Sequence, residues 1–198
     1  MAIKVGDKLP EATFMTMSAD GPKPMTTAEV FGGKKVALFA VPGAYTPTCH
    51  KQHMPGFVDR AEELKKKGFD AVACTAVNDV FVLTNWSKDS QADGKIQMLA
   101  DGSADFAKKI GLEIDLTARG LGVRSKRYAM AVEDGVVKIL NIEDAPPDRR
   151  QVQRGHPLLH GGQEPLRRSA PRLCRRRLAL PAVVFSVSSR ASAGRCVR

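Results

Sequence analysis

The feature that most limits the fold is a junction. The uncharged run Val36-Ala37-Leu38-Phe39-Ala40-Val41 stops at Pro42-Gly43, and a helical pattern takes over soon afterwards. An apolar run of this length without alternation suits a strand buried on both faces of a parallel sheet. Downstream, Phe57, Val58, Ala61 and Leu64 are interleaved with Arg60, Glu62, Glu63 and Lys65 to Lys67, which predicts an amphipathic helix ending at Gly68. Between strand and helix lies Ala44-Tyr45-Thr46-Pro47-Thr48-Cys49-His50, so one thiol falls near the first turn of that helix. Pro47 fits there because a first turn does not use the missing N–H. Free backbone N–H groups and the positive end of the helix dipole favour a thiolate over a thiol. One helix end supplies about 1 kcal/mol of that preference, so a cation is wanted as well.

The rest of residues 1–145 alternates between strands and helices. Phe69 to Val77 reads as a second apolar strand, Asp79 to Ser87 as a helix, and Met98-Leu99-Ala100 as a short strand before Asp101-Gly102. Ser103 is placed to cap a helix running through Ile110 and closed by Gly111. Arg127 to Val132 and Val136 to Ile142 flank Asp134-Gly135, a hairpin signal, which puts Arg127 on a strand near the sheet edge. This order predicts an α/β domain with one sheet and helices on both faces.

The run Pro42-x-x-x-Thr46-x-x-Cys49 resembles the peroxidatic motif of the peroxiredoxins. The continuation His53-Met54-Pro55-Gly56-Phe57 is similar to the type-II, peroxiredoxin-5-like branch. So are Ala76-Val77-Asn78-Asp79, Phe81-Val82, Leu99-Ala100-Asp101-Gly102-Ser103 and Gly120-Leu121-Gly122-Val123-Arg124-Ser125-Lys126-Arg127-Tyr128. The resemblance covers residues 3–145. It implies a thioredoxin-like fold, a central mixed β-sheet flanked by helices, and reduction of hydrogen peroxide and alkyl hydroperoxides through a Cys49 sulfenic acid. By the same resemblance Thr46 hydrogen-bonds the peroxide and the thiolate, Pro42 shields the pocket, and Arg127 stabilises the thiolate and orients the two oxygens. A planar guanidinium suits that task better than an ammonium group. Arg124 is a second candidate for the pocket. No cofactor is implied. The implied partners are the hydroperoxide, glutaredoxin with glutathione or thioredoxin as reductant, and a second copy of the chain in a homodimer.

Plainer readings stand beside these. A cysteine after an apolar strand can be a small buried hydrophobe. Thr46 and Thr48 can be turn and cap hydroxyls, and Arg124 and Arg127 a solvated strand face. His50, His53 and Cys49 have ligand-like spacing, but no further Cys/His pair accompanies them, so no metal is expected. His50 is expected on the helix surface and His53 in a pocket or interface wall. Cys74, inside Ala71-Val72-Ala73-Cys74-Thr75, is either core packing or a resolving thiol, the latter by similarity to plant-type members.

Charge divides the chain. Of the net +10, residues 1–145 contribute nothing, with 19 basic and 19 acidic residues; residues 146–198 hold 12 arginines, no lysine, one Asp and one Glu. Six of the 12 prolines also fall in those last 53 residues. Such composition predicts disorder, because few large apolar groups offset the conformational entropy. Two explanations remain open: a frame-shifted or mis-spliced end, or a basic arm for nucleic acid built around Arg175-Arg176-Arg177. Cys174 and Cys196 lie outside the resemblance.

Three functional classes follow: a thiol peroxidase, a thioredoxin-like disulfide oxidoreductase, and a nucleic-acid-binding module. The second wants Cys-x-x-Cys at the helix start, whereas Thr46-Pro47-Thr48-Cys49 keeps only the second cysteine. Leu178 to Val187 is too short to span a bilayer and contains Pro181, so no membrane is expected. Four unpatterned cysteines and a start without leader character predict a cytoplasmic, reducing location.

Overall fold

The computed structural model describes residues 1–143. The expectations of a disordered tail, a basic arm and any role for Cys174 lie outside them. The described chain builds a seven-stranded mixed sheet whose strands run from edge to edge as β2 (Gly21–Thr26), β1 (Thr13–Ser18), β5 (Gln97–Ala100), β4 (Ala71–Ala76), β3 (Lys35–Val41), β8 (Tyr128–Glu133) and β9 (Val136–Ile142), and a separate two-stranded sheet of β6 (Glu113–Asp115) and β7 (Val123–Ser125). Strand β3 is parallel to β4, which is parallel to β5. On its other side β3 is antiparallel to β8, which pairs with β9. The hairpin of β1 and β2 completes the far edge. The thioredoxin-like architecture expected from the sequence is the one observed.

Both faces of β3 are covered, as its uninterrupted apolar run requires. On one face Val36, Leu38 and Ala40 sit beside Val132, Met130 and Tyr128 and pack into a core with Phe14, Phe31, Phe106 and Ile110. Phe31 belongs to α1 (Thr27–Phe31), and Phe106 to α5 (Asp105–Lys109). On the opposite face Phe39 lies between Cys74 and Ala129 in register and stacks on Phe57 at 3.9 Å between ring centroids. Phe57 comes from α2 (Met54–Val58). Apolar alternation along a strand that looks uniform in sequence thus separates two layers of helices.

Several local expectations change. The helix expected to run on to Gly68 is three pieces: a π-helical turn at Cys49–His53, then α2, then α3 (Ala61–Lys66). In the first, the Met54 N–H reaches back five residues to the Cys49 carbonyl. Pro55 explains the widening, since its ring crowds the carbonyl four residues earlier and it has no N–H for the ladder. Between α2 and α3, Arg60 N–H turns to the Phe57 carbonyl at 3.2 Å, a tighter bond that breaks the helix. Gly68, at φ +84°, follows the end as expected.

Ser103 does not cap α5. The buried carboxylate of Asp101 does, accepting the Phe106 N–H at 3.1 Å and the Ala107 N–H at 2.9 Å, while Ala104 takes a left-handed φ of +58°. Asp79, by contrast, caps α4 (Val80–Asp89) through the Val82 N–H at 2.8 Å. Arg127 precedes β8 rather than lying on it, while β8 itself lies near the sheet edge as expected, with β9 alone outside it. The Asp134-Gly135 turn forms as expected, with both residues at positive φ, +47° and +73°. The β1–β2 hairpin, the capping box joining Thr26 and Glu29 at the start of α1, and the β6–β7 pair were not anticipated.

The division of labour between Asp101 and Ser103 is testable by urea denaturation. Asp101→Ala should cost about 1–2 kcal/mol by orphaning two buried N–H groups, and Ser103→Ala less than about 0.5 kcal/mol. The reverse order would return the cap to Ser103.

Candidate active site

Strand register brings the site together. Ala40 pairs with Tyr128 across the antiparallel β3–β8 ladder, so the residue before β8 arrives where the loop after β3 begins. That residue is Arg127. Its Nη1 lies 3.3 Å from the Cys49 Sγ and 3.3 Å from the His53 Nδ1. A guanidinium nitrogen carries two N–H donors and no acceptor, so one nitrogen can serve both partners. From the other side, Arg127 Nε donates to Glu143 Oε2 at 2.7 Å. Burial works against the charge on Arg127, but the Cys49 sulfur and the Glu143 carboxylate outweigh it, and its pKa is raised.

Cys49 itself is fully buried. His53, one helical layer below, packs edge-on against Phe39 and Phe57 at 5.4 and 5.3 Å between ring centroids. Burial, and secondarily the neighbouring Arg127 charge, pushes its pKa down to about 4. The imidazole is therefore neutral near pH 7 and accepts from Arg127 instead of competing with it as a second cation. His53 is a pocket wall, as one of the expectations had it. His50 is not a helix-surface residue: its Nδ1 accepts the Trp86 Nε1–H at 3.0 Å.

Thr46 Oγ1 donates to the Gly43 carbonyl at 2.9 Å, so its proton closes its own loop and its oxygen remains an acceptor. Arg124 grips the same loop from outside. Its Nε donates to the Leu121 carbonyl at 2.7 Å and its Nη1 to the Pro42 carbonyl at 3.4 Å, which makes it a clamp on the loop rather than a neighbour of the sulfur. Gly43 leaves room for this clamp, since a Cβ there would meet Arg124 Nη1 at 3.0 Å and Thr46 Cγ2 at 3.3 Å, so those side chains would have to give way slightly. Asn78, just past β4, accepts the Ala44 N–H on its side-chain oxygen at 3.0 Å.

Cys74 is a free, fully buried thiol on β4, on the sheet face that also carries Phe39. Burial, and then the charge on Cys49, pushes the Cys74 thiol well up. Among the described residues no three His, Cys, Asp or Glu gather as a metal site, and no helix is long and apolar enough to cross a membrane. Sequence reasoning missed Glu143, which sits just beyond β9 with no motif around it, and the tie between His50 and Trp86.

The redoxin family model matches residues 4–154, which include both the buried thiol and the guanidinium that faces it. Peroxiredoxin-2B of Arabidopsis thaliana is 45 % identical over 144 residues, covering 71 % of this chain and 88 % of its own length. The chain belongs to the peroxiredoxins. Peroxiredoxin-2E, chloroplastic, of Arabidopsis thaliana is 49 % identical over 147 residues, 72 % of this chain and 63 % of that protein. This peroxiredoxin thus spans less than two thirds of that relative. Among solved structures, reduced Prx3 of Vibrio vulnificus in complex with hydrogen peroxide is 47 % identical with a TM-score of 0.70, covering 74 % of this chain and 90 % of the other. Peroxiredoxin 5 of Alvinella pompejana is 35 % identical with a TM-score of 0.65, covering 74 % and 91 %. The cytoplasmic location expected from cysteine usage is overturned: Peroxiredoxin-2E and its rice counterpart Peroxiredoxin-2E-2 are both named chloroplastic. Cysteine usage reports a reducing compartment, and it does not tell one such compartment from another.

The state of His53 makes a measurable prediction. Its native pKa of about 4 lies below the ordinary 6.5, so the unfolded chain binds the extra proton between those values. This contribution to stability is complete above about pH 6.5 and is lost as pH falls towards 4. Urea midpoints across pH 4–7 should show the parent losing about 3 kcal/mol more than His53→Gln, which keeps an acceptor but does not titrate. Parallel profiles would mean that His53 takes up its proton over the same pH range folded and unfolded, against a depressed native pKa.

Proposed function

We propose that this protein is a thiol-dependent peroxidase in which Cys49 is the nucleophile. The observation that carries this reading is the 3.3 Å approach of Arg127 Nη1 to the Sγ of the fully buried Cys49. A guanidinium at that distance favours the anionic sulfur, which is the reactive form. The thiolate attacks one oxygen of the hydroperoxide, and the sulfur–oxygen bond forms as the O–O bond breaks. Sulfur is oxidised to the sulfenic acid, and the leaving alkoxide or hydroxide takes a proton to depart as alcohol or water. Arg127 is fixed in advance where negative charge moves from sulfur to oxygen, so little reorganisation is needed in the transition state. Thr46 holds the protonated peroxide oxygen through its free lone pairs. Pro42, with its carbonyl held by Arg124, shields the pocket from water. Because Cys49 is fully buried, encounter depends on small motions of its turn, which favours hydrogen peroxide and small alkyl hydroperoxides.

In this proposal an external thiol, glutathione with glutaredoxin or thioredoxin, returns the sulfenic acid to the thiol. The elevated pKa of Cys74 supports that choice, since a protonated, fully buried thiol is a poor attacking group. Its position on the sheet face beneath the Cys49 turn supports the second reading, in which it resolves the sulfenic acid. A homodimer through the face carrying the Cys49 loop is also part of the proposal, supported by the exposure of Tyr45 in that loop at 45 %. The names of the two chloroplastic relatives favour a plastid setting.

Intact mass after one equivalent of hydrogen peroxide, with dimedone as trap, should give one adduct, located on Cys49. Cys49→Ser should abolish peroxide consumption. Cys74→Ser should keep turnover with glutaredoxin, and its loss would transfer the resolving role to Cys74. Arg127→Lys should lower the rate of sulfenic acid formation about 100-fold. An adduct elsewhere, or full activity in Cys49→Ser, would reject the reading.

A further inference from the structure

Helix α4 contributes no group to the sulfur, yet it holds both ends of the segment that carries it. At one end Tyr45 OH donates to Asp89 Oδ2 at 2.7 Å. At the other the Trp86 Nε1–H donates to His50 Nδ1 at 3.0 Å. The Tyr45 ring leans over the His50 ring at 5.7 Å between centroids, so the two ties form one contact. An indole N–H only donates, so His50 Nδ1 must be the acceptor. Trp86 is fully buried, and its N–H has no solvent to turn to if His50 leaves.

The backbone shows why such a hold is needed. Tyr45 has a φ of +59°, a left-handed conformation that a bulky side chain adopts only when its surroundings impose it. Four residues later the chain enters the π-helical turn, a wider and weaker arrangement than an α-helix. One irregular stretch precedes Cys49 and the other begins with it, and both are tied to α4. His50 follows Cys49 directly in that turn. Rotation of the turn about its axis would carry the sulfur away from Arg127, and a ring pinned at position 50 prevents that rotation.

We propose that Trp86 and Asp89 are positioning residues: acting through His50 and Tyr45, they latch the Cys49 turn to α4 and set the sulfur against Arg127. The inference rests on the peroxidase reading for its kinetic consequence, but not for the latch itself. The full chain and the variants Tyr45→Phe, His50→Leu, Asp89→Ala and Asp89→Asn allow both parts to be tested. Tyr45→Phe removes one exposed hydroxyl and leaves the core intact, so it keeps the test open if His50→Leu folds poorly.

Two readouts are needed. Hydrogen exchange followed by mass spectrometry on peptides covering residues 42–58 reads the latch without peroxide. The second-order rate of sulfenic acid formation, normalised to titrated Cys49 thiol, reads positioning. The expected result is at least threefold faster exchange in Tyr45→Phe, His50→Leu and Asp89→Ala. Sulfenic acid formation should fall about tenfold in His50→Leu and at least threefold in Tyr45→Phe and Asp89→Ala. Asp89→Asn, which retains an acceptor oxygen, should stay within threefold of the parent on both readouts. Exchange changed less than threefold in Tyr45→Phe overturns the latch. Faster exchange with a rate per thiol changed less than threefold overturns the positioning role. If the parent thiol is inert to peroxide, the peroxidase reading and the kinetic part fail together, and faster exchange still upholds the latch.

Discussion

One contact between residues 78 positions apart, Arg127 to Cys49, organises the site. Neither residue can place itself. Arg127 reaches the sulfur because β8 runs antiparallel to β3 in the register that sets Tyr128 opposite Ala40. A slip of one residue would send Arg127 to the other face of the sheet. Glu143 belongs to the same arrangement, since the Glu143 N–H donates to the Arg127 carbonyl at 2.9 Å while its carboxylate holds the guanidinium. The β8–β9 hairpin therefore fixes both the backbone and the side chain of the residue that faces the thiol. Much of the energy that aligns the site is sheet energy, supplied by strands whose side chains take no part in the chemistry.

The ends of the parallel strands gather the remaining parts. Pro42 follows β3, Asn78 follows β4, and Asp101 follows β5, so three loops emerge on one side of the sheet. Ligand sites in open α/β sheets form outside the carboxyl ends of such strands. Here the first loop carries the thiol, the second ties that loop down through Asn78, and the third anchors α5 through Asp101. His53 adds an electrostatic constraint. Held neutral by burial, it adds no second positive charge beside Arg127 while still accepting one of its N–H bonds.

The central strand, the helix after Asp79 and the hairpin at Asp134-Gly135 were legible because each has a local signature, whereas Arg127 was matched to Cys49 only through the resemblance to the peroxiredoxins. Apolar runs, caps, turn dipeptides and the Pro42-x-x-x-Thr46-x-x-Cys49 spacing can all be read without knowing what they touch. What escaped is decided by contacts distant in sequence. Ser103 is a reasonable cap by residue type, yet Asp101 takes the two N–H groups because the end of β5 places its carboxylate above them. The break after Val58 and the π-helical turn depend on how Pro55 is accommodated, which an amphipathic pattern does not reveal. His50 looked like a surface residue because its partner, Trp86, lies 36 positions away on another element.

The two thiols show how far the same sequence context can diverge. Cys49 and Cys74 are both fully buried and both free, the first beyond the end of an apolar strand and the second within one. Cys49 lies in an irregular turn beside a guanidinium, where an anion is compensated. Cys74 lies in the middle of a parallel ladder between β3 and β5, where burial disfavours the anion and a charged Cys49 disfavours it further. For Cys74 to attack a sulfenic acid, it must lose a proton in a place that resists charge, and the Cys49 turn must descend to the sheet. Oxidation removes the first obstacle only in part, because a neutral sulfenic acid no longer repels a second thiolate but leaves the desolvation penalty in place. The geometry thus separates a thiol beside a cation from one enclosed in the sheet.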